Sequence, residues 1–147
     1  MKTRALVMTG IMALTVMAST QVAHAQDALV VNIPFEFIAG NTTMPAGEYS
    51  VKVSGPQGTL LIINRTSASA SVLMTTNPAA ASEPQAASKL VFNQYGNRYF
   101  LSQIWREGNA NGRQLQKSSR EQETAQVAKL QDQMQVILVA SLPPNHR

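Results

Sequence analysis

The residues of this chain that could perform covalent chemistry are few, and most of them are carboxylates. The sequence has no cysteine, and its two histidines are His24, near the start, and His146, next to the last residue. Nucleophilic catalysis needs an imidazole held beside a serine or cysteine, and a zinc site needs clustered cysteine, histidine or carboxylate ligands. The sequence fits neither requirement, so we expect no cofactor and no metal site.

Paired carboxylates, as in glycoside hydrolysis, are the remaining catalytic possibility. The chain has eight acidic residues: Asp27, Glu36, Glu48, Glu83, Glu107, Glu121, Glu123 and Asp132. Glu121 and Glu123 follow a predicted helix start, where a carboxylate caps the helix or offsets its dipole. Glu36 and Glu48 fall on the polar faces of predicted strands. A small carboxylate-dependent hydrolase using Glu36 or Glu48 is therefore only an alternative, and no catalytic residue is predicted.

The first 25 residues have the order of segments that is typical of a secretory signal peptide. Lys2 and Arg4 precede an uncharged apolar stretch over 5–19, and Ala23–Ala25, of sequence Ala-His-Ala, fits a small-x-small cleavage site. The apolar stretch is shorter than the roughly 20 residues that span a bilayer. The sequence predicts cleavage after residue 25, export to the periplasm or the exterior, and no transmembrane span afterwards.

The remaining residues, 26–147, have the length of one domain, and the lack of cysteine excludes disulfides. They carry ten basic against eight acidic residues. So small a net charge does not indicate binding to nucleic acid. Arg113, Lys117 and Arg120 form a small basic group, but acidic residues follow it at once. That order favours a solvated helix start over a polyanion site.

Alternating apolar residues predict a series of short strands. The stretch 29–40 (LVVNIPFEFIAG) alternates clearly, and Pro34 indicates an edge strand or a bulge because proline donates no ladder hydrogen bond. Further strands are predicted around 49–53, over 59–65 as a central strand, and over 69–77. Turn residues separate these segments, and such regular short spacing is typical of an antiparallel sandwich or barrel.

The aromatic stretch LVFNQYGNRYFLSQIW, residues 90–105, predicts a hairpin. Gly-Asn at 96–97 suits a two-residue turn. The turn fixes the predicted pairs as Tyr95 with Arg98, Gln94 with Tyr99, and Phe92 with Leu101. The apolar residues of the predicted core face are Leu90, Phe92, Tyr99, Leu101 and Trp105.

The opposite face of this hairpin is the predicted binding site, because it is too apolar for solvent and too polar for a dry interior. Its candidate residues are Tyr95, Arg98, Phe100 and Ile104. A partner protein or a glycan could contact them. The alternative is that the chain's own C-terminal helix covers this face.

That helix is predicted over about 119–133. Ser118 and Glu121 have the spacing of a capping box, and Val127, Leu130 and Met134 form a narrow apolar stripe. The run 136–139 is rich in β-branched residues and short, which favours a final strand over a continuation of the helix. The Ala/Ser/Pro-rich stretch 77–88 has no periodicity and is predicted to be a loop.

Three segments resemble a group of small exported β-rich proteins of soil bacteria: FIAGNTTMPAGEYSV over 37–51, the hairpin stretch over 90–105, and GRQLQKSSREQE over 112–123. The shared features are a Pro-Ala-Gly-x-Tyr turn, a Leu-x-Phe…Tyr-Gly…Tyr-Phe-Leu…Trp hairpin and a Ser-x-x-Glu segment. The resemblance covers most of the chain after the leader and implies no activity.

Together these observations predict a signal peptide over 1–25 and a single mainly β domain over 26–147. We expect an antiparallel sandwich or partly open barrel of about six or seven strands with one C-terminal helix. The predicted function is a non-catalytic secreted or periplasmic module that binds an envelope protein or a glycan. An outer-membrane barrel is a further alternative, disfavoured because the predicted strands are short and the aromatic residues clustered.

Overall fold

Two β-sheets and one helix make up the fold in the computed structural model, which describes residues 28–67, 70–131 and 134–140. The predicted signal peptide lies outside the described residues. The elements are β1 (Leu29–Ile33), β2 (Phe37–Ala39), β3 (Thr42–Met44), β4 (Gly47–Ser54), β5 (Thr59–Asn64), β6 (Ser71–Thr75), β7 (Asn77–Ala80), β8 (Lys89–Tyr95), β9 (Arg98–Trp105), β10 (Asn111–Gln114), α1 (Ser119–Leu130) and β11 (Met134–Ala140).

The first sheet has the strand order β1-β4-β5-β6 and the second has the order β11-β8-β9-β10-β7. The β2–β3 hairpin joins the second sheet through a parallel contact between Ile38 and Phe100, whereas the other ladders are antiparallel. This architecture confirms the predicted mainly β sandwich with one C-terminal helix. The described residues form eleven strands and not six or seven, because strands as short as β2, β3, β7 and β10 have too little alternation to be recognised.

The main core lies between the two sheets and follows the predicted alternation. In the first sheet, β5 is a central strand and β1 an edge strand, both as predicted. The buried residues of this core are Leu29, Val31, Ile33, Phe37, Ala39, Met44, Tyr49, Val51, Leu60, Ile62, Leu90, Phe92, Leu101, Ile104 and Leu115. Phe37 makes edge-to-face contacts with Tyr49 and Phe92, which links the two sheets through aromatic rings.

Pro34 divides the stretch predicted as one strand. β1 ends at Ile33 and β2 begins at Phe37, so the chain leaves the first sheet and enters the second within three residues. Proline has no N–H to continue the ladder with β4, which explains the break at this position. The crossing places Phe37 and Ile38 in the second sheet.

The β8–β9 hairpin has the predicted turn, and the three predicted pairs of residues are confirmed. A β-bulge follows: Phe92 pairs with Leu101, but Val91 pairs with Gln103. The extra residue lies in β9. Because side chains alternate along a strand, each later side chain of β9 points to the face opposite to the one predicted. Ile104 therefore lies in the main core, and Trp105 faces the other side. The prediction of the opposite arrangement was wrong.

The helix begins where the sequence predicts, with the Ser118 hydroxyl accepting a hydrogen bond from the Glu121 backbone N–H at 3.2 Å. It ends at Leu130, earlier than expected. The predicted apolar stripe is wrong, because Val127 and Leu130 are exposed and Met134 belongs to β11. The buried face of the helix consists of Glu121 and Ala128.

The C-terminal run forms β11, which pairs with β8 over Met134–Ala140, so the prediction of a final strand is confirmed. The predicted loop over 77–88 is wrong in its first four residues, which form β7 and pair with β10. Among the described residues, no helix is both long and apolar enough to cross a membrane.

Candidate functional sites

The outer face of the hairpin is covered by the chain's own helix. Phe100 is 1% exposed and packs in a second, smaller cluster with Ile38, Tyr95 and Ala128. Alanine side chains allow the helix backbone to come close to these rings. The expectation that α1 could dock on this face is confirmed.

The four residues predicted as a binding site do not share one surface. Phe100 and Tyr95 lie beneath α1, Ile104 is buried between the sheets because of the β-bulge, and Arg98 is exposed at the turn. Phe100 is enclosed beneath α1, and Ile104 is 3% exposed and lines one of the cavities described below. A binding role for these four residues stays a prediction.

A buried polar cluster fastens the helix to the hairpin. Glu121 is 5% exposed, and its Oε1 accepts hydrogen bonds from the Tyr95 hydroxyl at 3.1 Å and from Asn93 Nδ2 at 3.0 Å. The sequence predicted that this carboxylate would return to its own helix cap. The Glu121 carboxylate instead points toward the sheet. Two hydrogen-bond donors there stabilise the buried charge better than a single donor at the exposed helix start would.

Burial raises the pKa of Tyr95, and the negative charge of Glu121 raises it further. Lys117 opposes this effect, with its Nζ 6.0 Å from the centre of the Tyr95 ring. The cluster thus holds a protonated phenol that donates to a carboxylate already supplied with a second donor. This arrangement positions a helix and presents no activated nucleophile.

The two carboxylates of the hydrolase alternative, Glu36 and Glu48, lie in different surroundings. Glu48 Oε1 forms an ion pair with Arg65 at 2.7 Å, and Glu36 is exposed in the bend between β1 and β2. Neither lines the two cavities described below. No group of three or more histidine or acidic side chains able to hold a metal ion occurs within the described residues.

A shallow groove of about 380 Å³ runs between the hairpin turn and the C-terminal half of α1. Tyr95 and Arg98, two of the predicted site residues, contribute to it. Its other lining residues are Gly96, Asn97, Glu123, Thr124, Val127, Ala128 and Gln131. The groove carries both a positive and a negative side chain, so its charge favours no particular class of ligand.

A second cavity, here called the arginine cavity, has a volume of about 420 Å³ and opens at the β10 end of the sandwich. Its lining residues are Val53, Pro78, Ile104, Arg106, Asn109, Asn111, Gly112 and Arg113. The sequence did not indicate this site because the basic group that contains Arg113 predicts a solvated helix start. The alternation of Asn111 and Arg113 on a four-residue strand is too short a signal to distinguish from a loop.

The structure also exposes an apolar strip formed by Val127, Leu130, Met134 and Val136. They are four of the five large apolar side chains exposed in the described chain, at 56%, 89%, 50% and 66% respectively. Met134 pairs with Tyr95 and Val136 with Asn93, so both lie on the face of the second sheet that carries α1. The strip therefore borders β11, the edge strand.

Comparison with known proteins assigns no family: no family model, no curated protein and no solved structure matches the chain. Function therefore has to be inferred from the chain's own geometry.

Proposed function

We propose that this protein is an exported, non-catalytic module of the cell envelope that binds a partner protein through the open edge of β11. The apolar strip is the observation that carries the proposal. Exposed apolar side chains that are grouped in a patch mark interaction sites in soluble proteins. The basic, apolar and small-residue segments at the start of the chain support the exported location.

The occupant that fits this edge is an extended, apolar strand of a partner. Among the described residues, β11 pairs with β8 alone, and β1 approaches β11 without forming a ladder with it. Edge strands are commonly protected by a charge, a proline or a bulge. β11, of sequence MQVILVA, has no charged residue or proline, and its ladder with β8 has no bulge. An added strand would gain main-chain hydrogen bonds from the edge and apolar contacts from the strip.

Two matched substitutions test this proposal. Val136 on β11 and Leu73 on β6 are both 66% exposed on edge strands, but only Val136 belongs to the strip. The mature chain, residues 26–147 after the predicted cleavage, is used to capture a partner from an envelope extract. The partner is then purified and titrated against each variant. We expect Val136→Lys to weaken binding at least tenfold, which corresponds to about 1.4 kcal/mol. Leu73→Lys should stay within twofold of wild type.

Hydrogen exchange then locates the contact. Partner binding should slow exchange at the amides of β11 and leave those of β6 unchanged. Equal binding by the Val136 variant, or protection away from β11, would refute the proposal. A wild-type dimer that Val136→Lys converts to a monomer would assign the edge to a second copy of the chain instead.

A further inference from the structure

The arginine cavity is built from both sheets. Val53 comes from β4 of the first sheet, and Pro78, Ile104 and Arg113 come from three strands of the second. Its volume of about 420 Å³ lies within the range of small-molecule sites. Its lining combines apolar side chains with guanidinium and amide groups.

Arg113 is directed into this space by its strand register. It pairs with Ile104 of β9 on one side and with Pro78 of β7 on the other, so the three side chains share the inner face of the sheet. Its guanidinium lies against Gly58, the last residue of the turn between β4 and β5. A β-carbon at Gly58 would be 2.5 Å from Cζ and from Nη1 of Arg113. The absence of a side chain at Gly58 therefore makes room for the guanidinium.

Arg113 brings a positive charge to the cavity, and no carboxylate is among the lining residues. Within the described part of the chain, no acidic oxygen comes within 4.0 Å of the Arg113 guanidinium, whereas Arg65 pairs with Glu48 in the first sheet. Arginine presents a planar set of donors that matches a carboxylate bidentately. Asn109 and Asn111 add amide donors beside it.

We propose that the arginine cavity binds an organic carboxylate with a short apolar body. The carboxylate contacts Arg113 and the asparagine amides, and the apolar body packs on Val53, Pro78 and Ile104. The apolar lining residues favour such a ligand over a hydrated inorganic anion, since that ion would make no contact with them. This site is separate from the β11 edge, so either proposal can fail without the other.

The probe is N-acetyl-leucine, titrated into the mature protein and followed by calorimetry and by amide and arginine Nε resonances. We expect saturable binding that shifts the Arg113 resonance. N-acetyl-leucinamide has the same shape without the charge and should bind at least tenfold more weakly. Inorganic phosphate should also bind at least tenfold more weakly than the acid. Equal binding of the amide or of phosphate would overturn the proposal.

Titration with a peptide distinguishes two possible sources of the carboxylate, namely the C-terminus of a peptide and a free organic acid. Ala-Ala-Leu with a free C-terminus binds more tightly than N-acetyl-leucine if the cavity takes a peptide C-terminal carboxylate, and no more tightly if it takes a free acid. Either result leaves the carboxylate proposal in place. No binding of either compound would overturn it.

Variants assign the binding to Arg113. Arg113→Gln should lose at least tenfold in affinity, and Arg113→Lys should fall between it and wild type because lysine cannot bind bidentately. Arg120→Gln, exposed in the first turn of α1, should bind as wild type. Unchanged affinity in a folded Arg113→Gln protein would overturn the proposal.

Substitutions at two glycines provide a second matched pair of variants. Gly58 and Gly55 have φ values of +64° and +73°, so alanine is strained at both. Only at Gly58 does the new β-carbon meet the guanidinium, since nothing lies within 4 Å of one at Gly55. Gly58→Ala should weaken binding of N-acetyl-leucine at least threefold, and Gly55→Ala should not. Equal effects of the two substitutions would contradict the proposed position of Arg113.

Discussion

Removal of the Glu121 carboxylate tests how α1 is fastened to the sheet. Glu121→Ala deprives the Tyr95 hydroxyl and the Asn93 amide of their acceptor. Tyr95 is 3% exposed, so water cannot replace the lost bond without opening the structure. A hydrogen bond to a charged group contributes about 1.5–3 kcal/mol, and an unsatisfied buried donor costs about 1–3 kcal/mol. We expect Glu121→Ala to lower the free energy of unfolding by about 2–3 kcal/mol.

The matched control is Glu123→Ala, an exposed carboxylate in the same helix. It should change the free energy of unfolding by less than about 1 kcal/mol, the usual contribution of a carboxylate near a helix N-terminus. Urea unfolding followed by Trp105 fluorescence and by circular dichroism measures both. A double-mutant cycle with Tyr95→Phe should give a coupling energy of about 1 kcal/mol between Tyr95 and Glu121. Equal losses for the two glutamates, or no coupling, would refute this account of the helix.

Two further predictions concern the packing of the helix and the response to pH. Ala128→Glu should lower the free energy of unfolding by about 2 kcal/mol or more because it buries an unpaired charge. Leu130→Glu should change it by less than about 0.5 kcal/mol in the same urea assay. The reverse order would mean that the predicted apolar stripe faces the sheet. Burial raises the pKa of both Tyr49 and Tyr95. The folded state then keeps protons that the unfolded state releases, so stability should fall as pH rises above about 10. Replacing both tyrosines with phenylalanine should reduce this loss in urea titrations at pH 9 and pH 11, and an unchanged loss would contradict it.

The parts of this fold that the sequence predicts are those determined by near neighbours. The Gly96-Asn97 turn fixes the first pairs of the hairpin because a two-residue loop permits only one register. The Ser118 cap fixes the start of the helix because its hydroxyl meets the nearby backbone N–H groups. Pro34 predicts an edge strand because proline donates no ladder hydrogen bond, and β1 is an edge strand.

The parts that the sequence did not predict depend on distant residues. The β-bulge opposite Val91 reverses the faces of Ile104 and Trp105, and no local signal marks it. The buried face of the helix was also missed. Its large apolar side chains indicate one face, but the aromatic surface beneath accepts the face with Ala128. The candidate sites required this long-range information, since the arginine cavity combines strands that are far apart in the chain.

The parallel contact between β2 and β9 has a consequence for the order of assembly. The first sheet is a meander of neighbouring strands, so most of its ladders close short loops. The β2–β3 hairpin lies in the chain between β1, the edge strand of that sheet, and β4. Its contact with the second sheet requires Phe100, which lies far along the chain. Closing so long a loop costs more chain entropy than closing a hairpin, so this junction completes the sandwich after its local ladders have formed.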